Sequence, residues 1–135
     1  MEKNFKEINY LLFRLIMGLN MLIHGAVRIF GDYDAFIKKM QGLFATSPLP
    51  SFITTFAAHL ISPLELFFGL LLVLGLFTRI TITVLLFNMM MLISGVCLLQ
   101  KWDLAGLQMS YALYLFFLGH FIDFNRFSLD NLRRN

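Results

Sequence analysis

A single carboxylate lies inside a long apolar stretch of the chain. Residues 62–79 contain one acidic residue, Glu65, and one basic residue, Arg79, and almost all of their other side chains are apolar. A glutamate in hydrocarbon is costly unless it is neutral, is paired or faces a polar interior. The sequence therefore predicts that other segments fold around Glu65 and supply its polar partners.

The composition places the chain in the membrane class. Of its 135 residues, 59% are hydrophobic and 14% are charged, whereas soluble domains are about 45–50% apolar and about 25% charged. A soluble core of this size leaves much of its apolar surface exposed, because small domains bury a limited fraction of their surface. We therefore predict a single transmembrane domain over residues 1–135, with the lipid bilayer as its partner.

Four apolar segments are each close to the roughly 20 residues that a membrane-spanning helix needs. They cover about residues 10–30, 51–77, 80–99 and 104–122. The predicted fold class is all-α, a transmembrane four-helix bundle that is antiparallel because the link between the second and third segments is very short. We also expect Pro63 to kink the second helix.

The stretch between the first two segments is too polar to span a bilayer. Residues 32–49 contain four charged side chains and also apolar side chains at helical spacing. This pattern fits a short amphipathic helix on the membrane surface. An ordered loop that caps the bundle is the alternative.

The first segment has one apolar face and one face that carries polar groups. At 100° per residue, Arg14, Asn20, His24 and Arg28 fall within about a third of the helix circumference. A helix surrounded by lipid would not concentrate polar side chains in this way. The polar face is therefore predicted to meet other helices, and Gly18 and Gly25 would let them approach closely.

Basic residues set the predicted orientation. The first segment is longer than a signal-peptide core and is followed by no small-residue cleavage site, so we expect a retained helix. Outside that helix, one side of the membrane would carry six bases and the other three. The six are Lys3, Lys6, Arg79, Arg126, Arg133 and Arg134, and the three are Lys38, Lys39 and Lys101. An excess of bases marks the cytoplasmic side, so both termini are predicted to be cytoplasmic.

Several function classes find no support in the sequence. The net charge of +3 is scattered along the chain, which argues against a nucleic-acid partner. The lone Cys97 cannot form an internal disulfide or a dithiol relay, and no residue spacing is typical of a zinc site. We therefore predict no metal site and no cofactor held by the chain itself.

The candidate site is Glu65 together with a base from the first helix, which could be Arg14, His24 or Arg28. A carboxylate beside an imidazole can exchange a proton with a quinone-like head group. In this interpretation Glu65 and His24 are catalytic. The predicted ligand-binding residues are Arg14, Arg28, Asn20 and Asn88. In the alternative interpretation, the same polar groups form a structural ion pair that clamps the first two helices together.

Three motifs resemble the DoxX family. Arg14-x3-Gly18 followed by His24-Gly25-x2-Arg28-x2-Gly31 resembles its first helix, and Glu65-x3-Gly69-x5-Gly75-x2-Thr78-Arg79 resembles its second-helix motif. The C-terminal segment of the chain also resembles that of the family, at Asn125-Arg126-Phe127-Ser128-Leu129-Asp130.

This resemblance implies a four-helix protein of the bacterial inner membrane, acting as the membrane subunit of a quinone-linked oxidoreductase complex. Quinone would be its substrate, and a redox partner protein would hold the electron carrier because the chain has no cofactor motif. A non-catalytic scaffold or assembly factor is the main alternative, and a small-molecule carrier is a third. The chain could also form a homo-oligomer.

Overall fold

A computed structural model describes residues 1–133, in which every regular element is helical and none is a strand. The helices are α1 (Glu2–Phe30), α2 (Tyr33–Phe44), α3 (Ser51–Leu74), α4 (Thr78–Leu98) and α5 (Trp102–His120). A 3₁₀ turn at Ile122–Phe124 and the short α6 (Leu129–Leu132) follow. Arg134, which the orientation argument used, lies outside the described residues.

Within residues 1–133, three helices are long and apolar enough to cross a membrane, namely α1, α3 and α4. The protein is therefore a membrane protein with several apolar helices. The face of α1 predicted to be apolar is exposed, for example at Ile16 (60%) and Val27 (66%), whereas Arg14 on the opposite face is 1% exposed. Polar groups turned inward and apolar groups turned outward suit a hydrocarbon surrounding.

The helix boundaries differ from the predicted ones in α1, α3, α4 and α5. α1 begins at Glu2 instead of about residue 10, and an ion pair of 3.0 Å between Lys6 and Glu2 supports its first turns. α3 ends at Leu74 instead of residue 77, because Gly75 takes a left-handed conformation (φ 65°) that caps the helix. α4 follows at Thr78, and α5 starts and stops two residues before its predicted bounds.

Glycines bring the backbones of α1 and α3 into contact. A methyl group added at Gly25 would collide with the backbone of Leu66, and one added at Gly69 would collide with the backbone of Leu22. Gly18 lies against Val73 in the same way. Since positions later in α1 meet positions earlier in α3, the two helices run in opposite directions, and this register places Arg28 at the level of Glu65.

The C-terminal segment caps the turn between α3 and α4. The Asp130 carboxylate accepts hydrogen bonds of 2.7 Å from the backbone N–H groups of Phe77 and Thr78, and the Asp130 N–H donates to the Gly75 carbonyl at 2.9 Å. Burial opposes the ionisation of Asp130, but these hydrogen bonds and the charge of Arg133 outweigh it and hold its pKa below the ordinary value. A distant acid therefore supplies the N-terminal cap of α4.

The polar stretch after α1 forms a helix, as in the first of its two predicted alternatives. Asp32 caps α2 by accepting from the Ala35 N–H at 2.9 Å. α3 continues through Pro63, which has no N–H to donate to the His59 carbonyl one turn earlier. The Tyr33 hydroxyl donates to that carbonyl at 2.5 Å instead. The proline thus frees an acceptor with which α2 docks onto α3.

Candidate functional site

Glu65 forms an ion pair with Arg28, the base at the end of α1. Arg28 Nη1 lies 2.5 Å from Glu65 Oε2, and the side chains are 26% and 5% exposed respectively. The guanidinium carbon of Arg28 also lies 4.7 Å from the centre of the Phe36 ring of α2, a cation–π contact. Three helices therefore position the one carboxylate of the α3 apolar stretch.

A small polar pocket opens beside this ion pair, between α1, α4 and α5. It has a volume of about 160 Å³, and we call it the polar pocket. Its polar lining residues are Asn20, His24, Arg28, Glu65, Gln108 and Tyr111. His24 Nδ1 lies 2.8 Å from the Asn20 carbonyl. Because a carbonyl only accepts, Nδ1 carries the proton, and Nε2 can accept one when the ring is neutral.

A second cavity, which we call the apolar chamber, lies beneath α2. It measures about 370 Å³ and is enclosed by α2, α3, α4 and α5. Arg28 and Glu65 are its only charged lining residues within the described chain, and together with Gln108 they also line the polar pocket. The two cavities therefore adjoin at the ion pair, one with a polar wall and the other with an apolar wall.

Two buried amides near the ion pair have polar atoms without a hydrogen-bond partner among residues 1–133. Both amide atoms of Asn88 and Oε1 of Gln108 are in this state, and Asn88 is 3% exposed. Asn88 lies beside the Glu65 carboxyl group without a well-formed hydrogen bond to it, and it lines neither cavity. Buried polar groups rarely stay unpaired because the cost is high. Gln108 Oε1, whose residue lines both cavities, is therefore free to bind a guest molecule.

Of the three bases considered as partners of Glu65, Arg28 forms the ion pair and Arg14 bonds elsewhere. Arg14 Nη1 donates to the Leu72 and Val73 carbonyls at 2.9 and 3.2 Å, and Nη2 donates to the Phe127 carbonyl at 2.7 Å. Arg14 and Arg28 share a face of α1 but are separated by 14 residues, about 21 Å of helix. Arg14 therefore fixes α3 and the C-terminal segment at the opposite end of α1.

The structure brings together five of the six predicted site residues. Asn20, His24, Arg28 and Glu65 line the polar pocket, and Asn88 lies beside Glu65. Sequence reasoning missed Gln108 and Tyr111 as site residues. The available signal was their spacing of three in the fourth apolar segment, which puts two polar side chains on one helix face.

Other parts of the described chain offer less chemistry. A groove of about 470 Å³ between α1 and α5 has one charged residue, Lys6, in its lining within the described chain. No group of three or more His, Cys, Asp or Glu side chains within residues 1–133 could hold a metal ion. The paired cavities at Arg28 and Glu65 are thus the best candidate for a functional site.

The apolar helices and the inward-facing ion pair define an integral membrane protein. The sequence model of the family described as DoxX matches residues 10–99, which include most of α1, the whole of α2, α3 and α4, and the Arg28–Glu65 pair. The chain therefore belongs to the DoxX family. Comparisons with curated proteins and with solved structures gave no significant match.

Proposed function

We propose that this protein is the membrane subunit of a quinone-linked oxidoreductase complex and binds the quinone head group in the polar pocket. The observation that carries this proposal is the meeting of two cavities at a buried ion pair with unpartnered amides beside it. Ligand sites are largely apolar cavities with a few convergent polar groups. A quinone ring offers two oxygens for such groups and needs a proton donor or acceptor when it changes redox state.

The proposal gives separate roles to the carboxylate, the two basic residues and the amides of the site. Glu65 exchanges a proton with the head group, and Arg28 holds the carboxylate in place. His24 is exposed beside the pocket and relays the proton to the aqueous side through Nε2. Asn20, Asn88 and Gln108 orient the ring by hydrogen bonds. The electrons pass to or from a redox partner protein.

The proposed membrane arrangement is an antiparallel four-helix bundle formed by the chain as one domain, with α5 as its fourth span. Contacts of Tyr10 with Leu118 at 2.9 Å and of Glu7 with Arg126 at 3.5 Å support it, because they place the chain's two ends together. Lys3, Lys6 and Arg79 belong to that same end. This excess of bases supports an inner-membrane orientation with both termini cytoplasmic.

The test is Glu65→Gln, with Glu7→Gln as the matched control. Both acids are buried and ion-paired, but Glu7 lies at the other end of α1. Binding of a decyl-tailed benzoquinone in detergent solution would be followed by the fluorescence of Trp102, the single tryptophan. We expect Glu65→Gln to raise the dissociation constant at least about tenfold and Glu7→Gln to leave it unchanged. Equal affinities for wild type and Glu65→Gln would contradict the proposal.

A non-catalytic scaffold is the second candidate, and the close α1–α3 interface favours it. There the Arg28–Glu65 pair would only clamp two helices that glycines already bring together. This alternative predicts that wild-type protein binds no quinone and that Glu65→Gln lowers the amount of folded protein. Size-exclusion chromatography of both variants separates the two candidates.

A further inference from the structure

We infer that the apolar chamber holds the hydrocarbon tail of the ligand whose head group occupies the polar pocket, so that the site selects tailed ligands. This inference rests on the proposed function and deepens it. It concerns the chemical class of the ligand and not the redox step.

The first argument is the arrangement of the two cavities. Arg28, Glu65 and Gln108 line both of them, so a molecule bound at these groups reaches both spaces. Asn20, His24 and Tyr111 line the polar pocket alone, whereas the apolar chamber adds only the hydroxyl groups of Thr54 and Ser94 to the three shared residues. A ligand with polar groups at one end and hydrocarbon at the other fits this division.

The second argument is the size of each cavity. The polar pocket, about 160 Å³, is smaller than the roughly 300–1,000 Å³ of common ligand sites. The apolar chamber, about 370 Å³, lies within that range. A compact head group therefore leaves the larger volume empty unless the same ligand also carries an apolar part.

The third argument concerns the side of the apolar chamber that α2 covers. The apolar face of α2 lines the chamber there through Phe36, Met40, Leu43 and Phe44. The side-chain hydrogen bonds from α2 to α3 are those of Tyr33 with His59 and of Gln41 with Thr55, the latter at 3.1 Å. Neither Tyr33 nor Gln41 lines the chamber, so α2 offers a ligand there only apolar side chains.

The test fills the apolar chamber without touching the charged pair. A methyl group added at Gly95 would lie 3.1 Å from the Phe44 ring, inside the chamber, whereas one added at Gly106 of α5 would meet nothing within 4 Å. Gly95→Leu is therefore the filling variant, and Gly106→Leu is its matched control. Ala57→Phe fills the chamber from another wall and replaces Gly95→Leu if that variant does not fold.

Two probes report on head and tail separately, a decyl-tailed benzoquinone and the same ring without a tail. We expect wild type to bind the tailed probe at least about tenfold more tightly, since each buried methylene contributes about fourfold. Gly95→Leu or Ala57→Phe should remove most of this preference and leave the dissociation constant of the untailed ring within about twofold. Gly106→Leu should change neither value.

The possible failures are distinguishable. If the filling variants leave the tailed probe unaffected while Glu65→Gln weakens both probes, the tail lies elsewhere and only this inference is overturned. If the filling variants weaken both probes equally, they disturb the head site and the tail assignment is also overturned. If wild type binds neither probe, the proposed function itself fails and the inference fails with it.

Discussion

Each end of the α1–α3 pair has an arginine of α1, but the two arginines have different partners. Arg14 is 1% exposed and donates to three backbone carbonyls from α3 and the C-terminal segment. The Arg28 side chain is 26% exposed and pairs with one carboxylate between two cavities. Backbone carbonyls do not titrate and cannot leave, whereas a carboxylate can change charge. The Arg14 end is thus suited to holding helices together, and the Arg28 end is suited to exchanging a ligand or a proton.

The largest expected effect comes from a glycine at which the backbones of α1 and α3 meet. Gly69→Leu should prevent α1 and α3 from packing, because even a methyl group there collides with the backbone of Leu22. We expect a loss of at least about 3 kcal/mol in the free energy of unfolding, since overpacked sites relax poorly. The yield of monodisperse protein and its thermal unfolding in detergent would measure this loss.

Gly42→Leu is the control for that prediction, because a methyl group at Gly42 of α2 meets nothing within 4 Å. It should fold like wild type. A stable, monodisperse Gly69→Leu protein would show that the backbones of α1 and α3 are not in direct contact.

The next largest effect separates the two arginines. Arg14→Met should lower the free energy of unfolding by about 3 kcal/mol, because it leaves three carbonyls without their charged donor. It should leave the dissociation constant of the quinone within about twofold. Chemical unfolding and probe binding on the same preparation would measure both quantities.

The matched variant at the Arg28 end of the α1–α3 pair is the double substitution Arg28→Met with Glu65→Gln. Removing both members of a buried ion pair is often nearly neutral for stability, so we expect a change below about 1 kcal/mol together with loss of binding. If Arg14→Met abolished binding while the double variant retained it, the proposed division between the two ends would be reversed.

The sequence predicted the inward face of α1 and the need of Glu65 for a partner, because both follow from side-chain polarity within one helix. Side-chain polarity alone could not show whether Arg14 or Arg28 pairs with Glu65, because both arginines lie on that face. The choice depends on the register of α1 against α3, and backbone contacts at Gly25 and Gly69 set that register. Likewise, the cap that Asp130 provides for α4 joins residues more than 50 positions apart, beyond the reach of local capping patterns.

A smaller effect concerns that cap, which belongs to the Arg14 end. Asp130→Asn should lower the free energy of unfolding by about 1 kcal/mol at neutral pH, the usual cost of losing a cap. The lowered pKa of Asp130 sets the sign of the pH dependence. Its stabilising contribution is present above the ordinary aspartate pKa of 3.8 and is lost as the pH falls through its lower value in the folded protein.

Unfolding measured at about pH 6 and about pH 3 would test this. Wild type should lose more stability than Asp130→Asn over that interval, because the variant has no carboxylate to protonate. Parallel pH profiles for the two proteins would mean that the ionised carboxylate does not stabilise the α4 cap.

The smallest expected effect is at the cavity end, where Pro63 frees the His59 carbonyl for Tyr33. Tyr33→Phe should cost about 1 kcal/mol, the net value of a single hydrogen bond. In a Pro63→Ala background, the new N–H at position 63 can donate to the His59 carbonyl within α3. Tyr33→Phe should therefore lower the free energy of unfolding clearly less in that background. Unfolding of the four proteins of this double-mutant cycle measures the difference. Equal costs in both backgrounds would mean that the proline does not create the acceptor on which α2 docks.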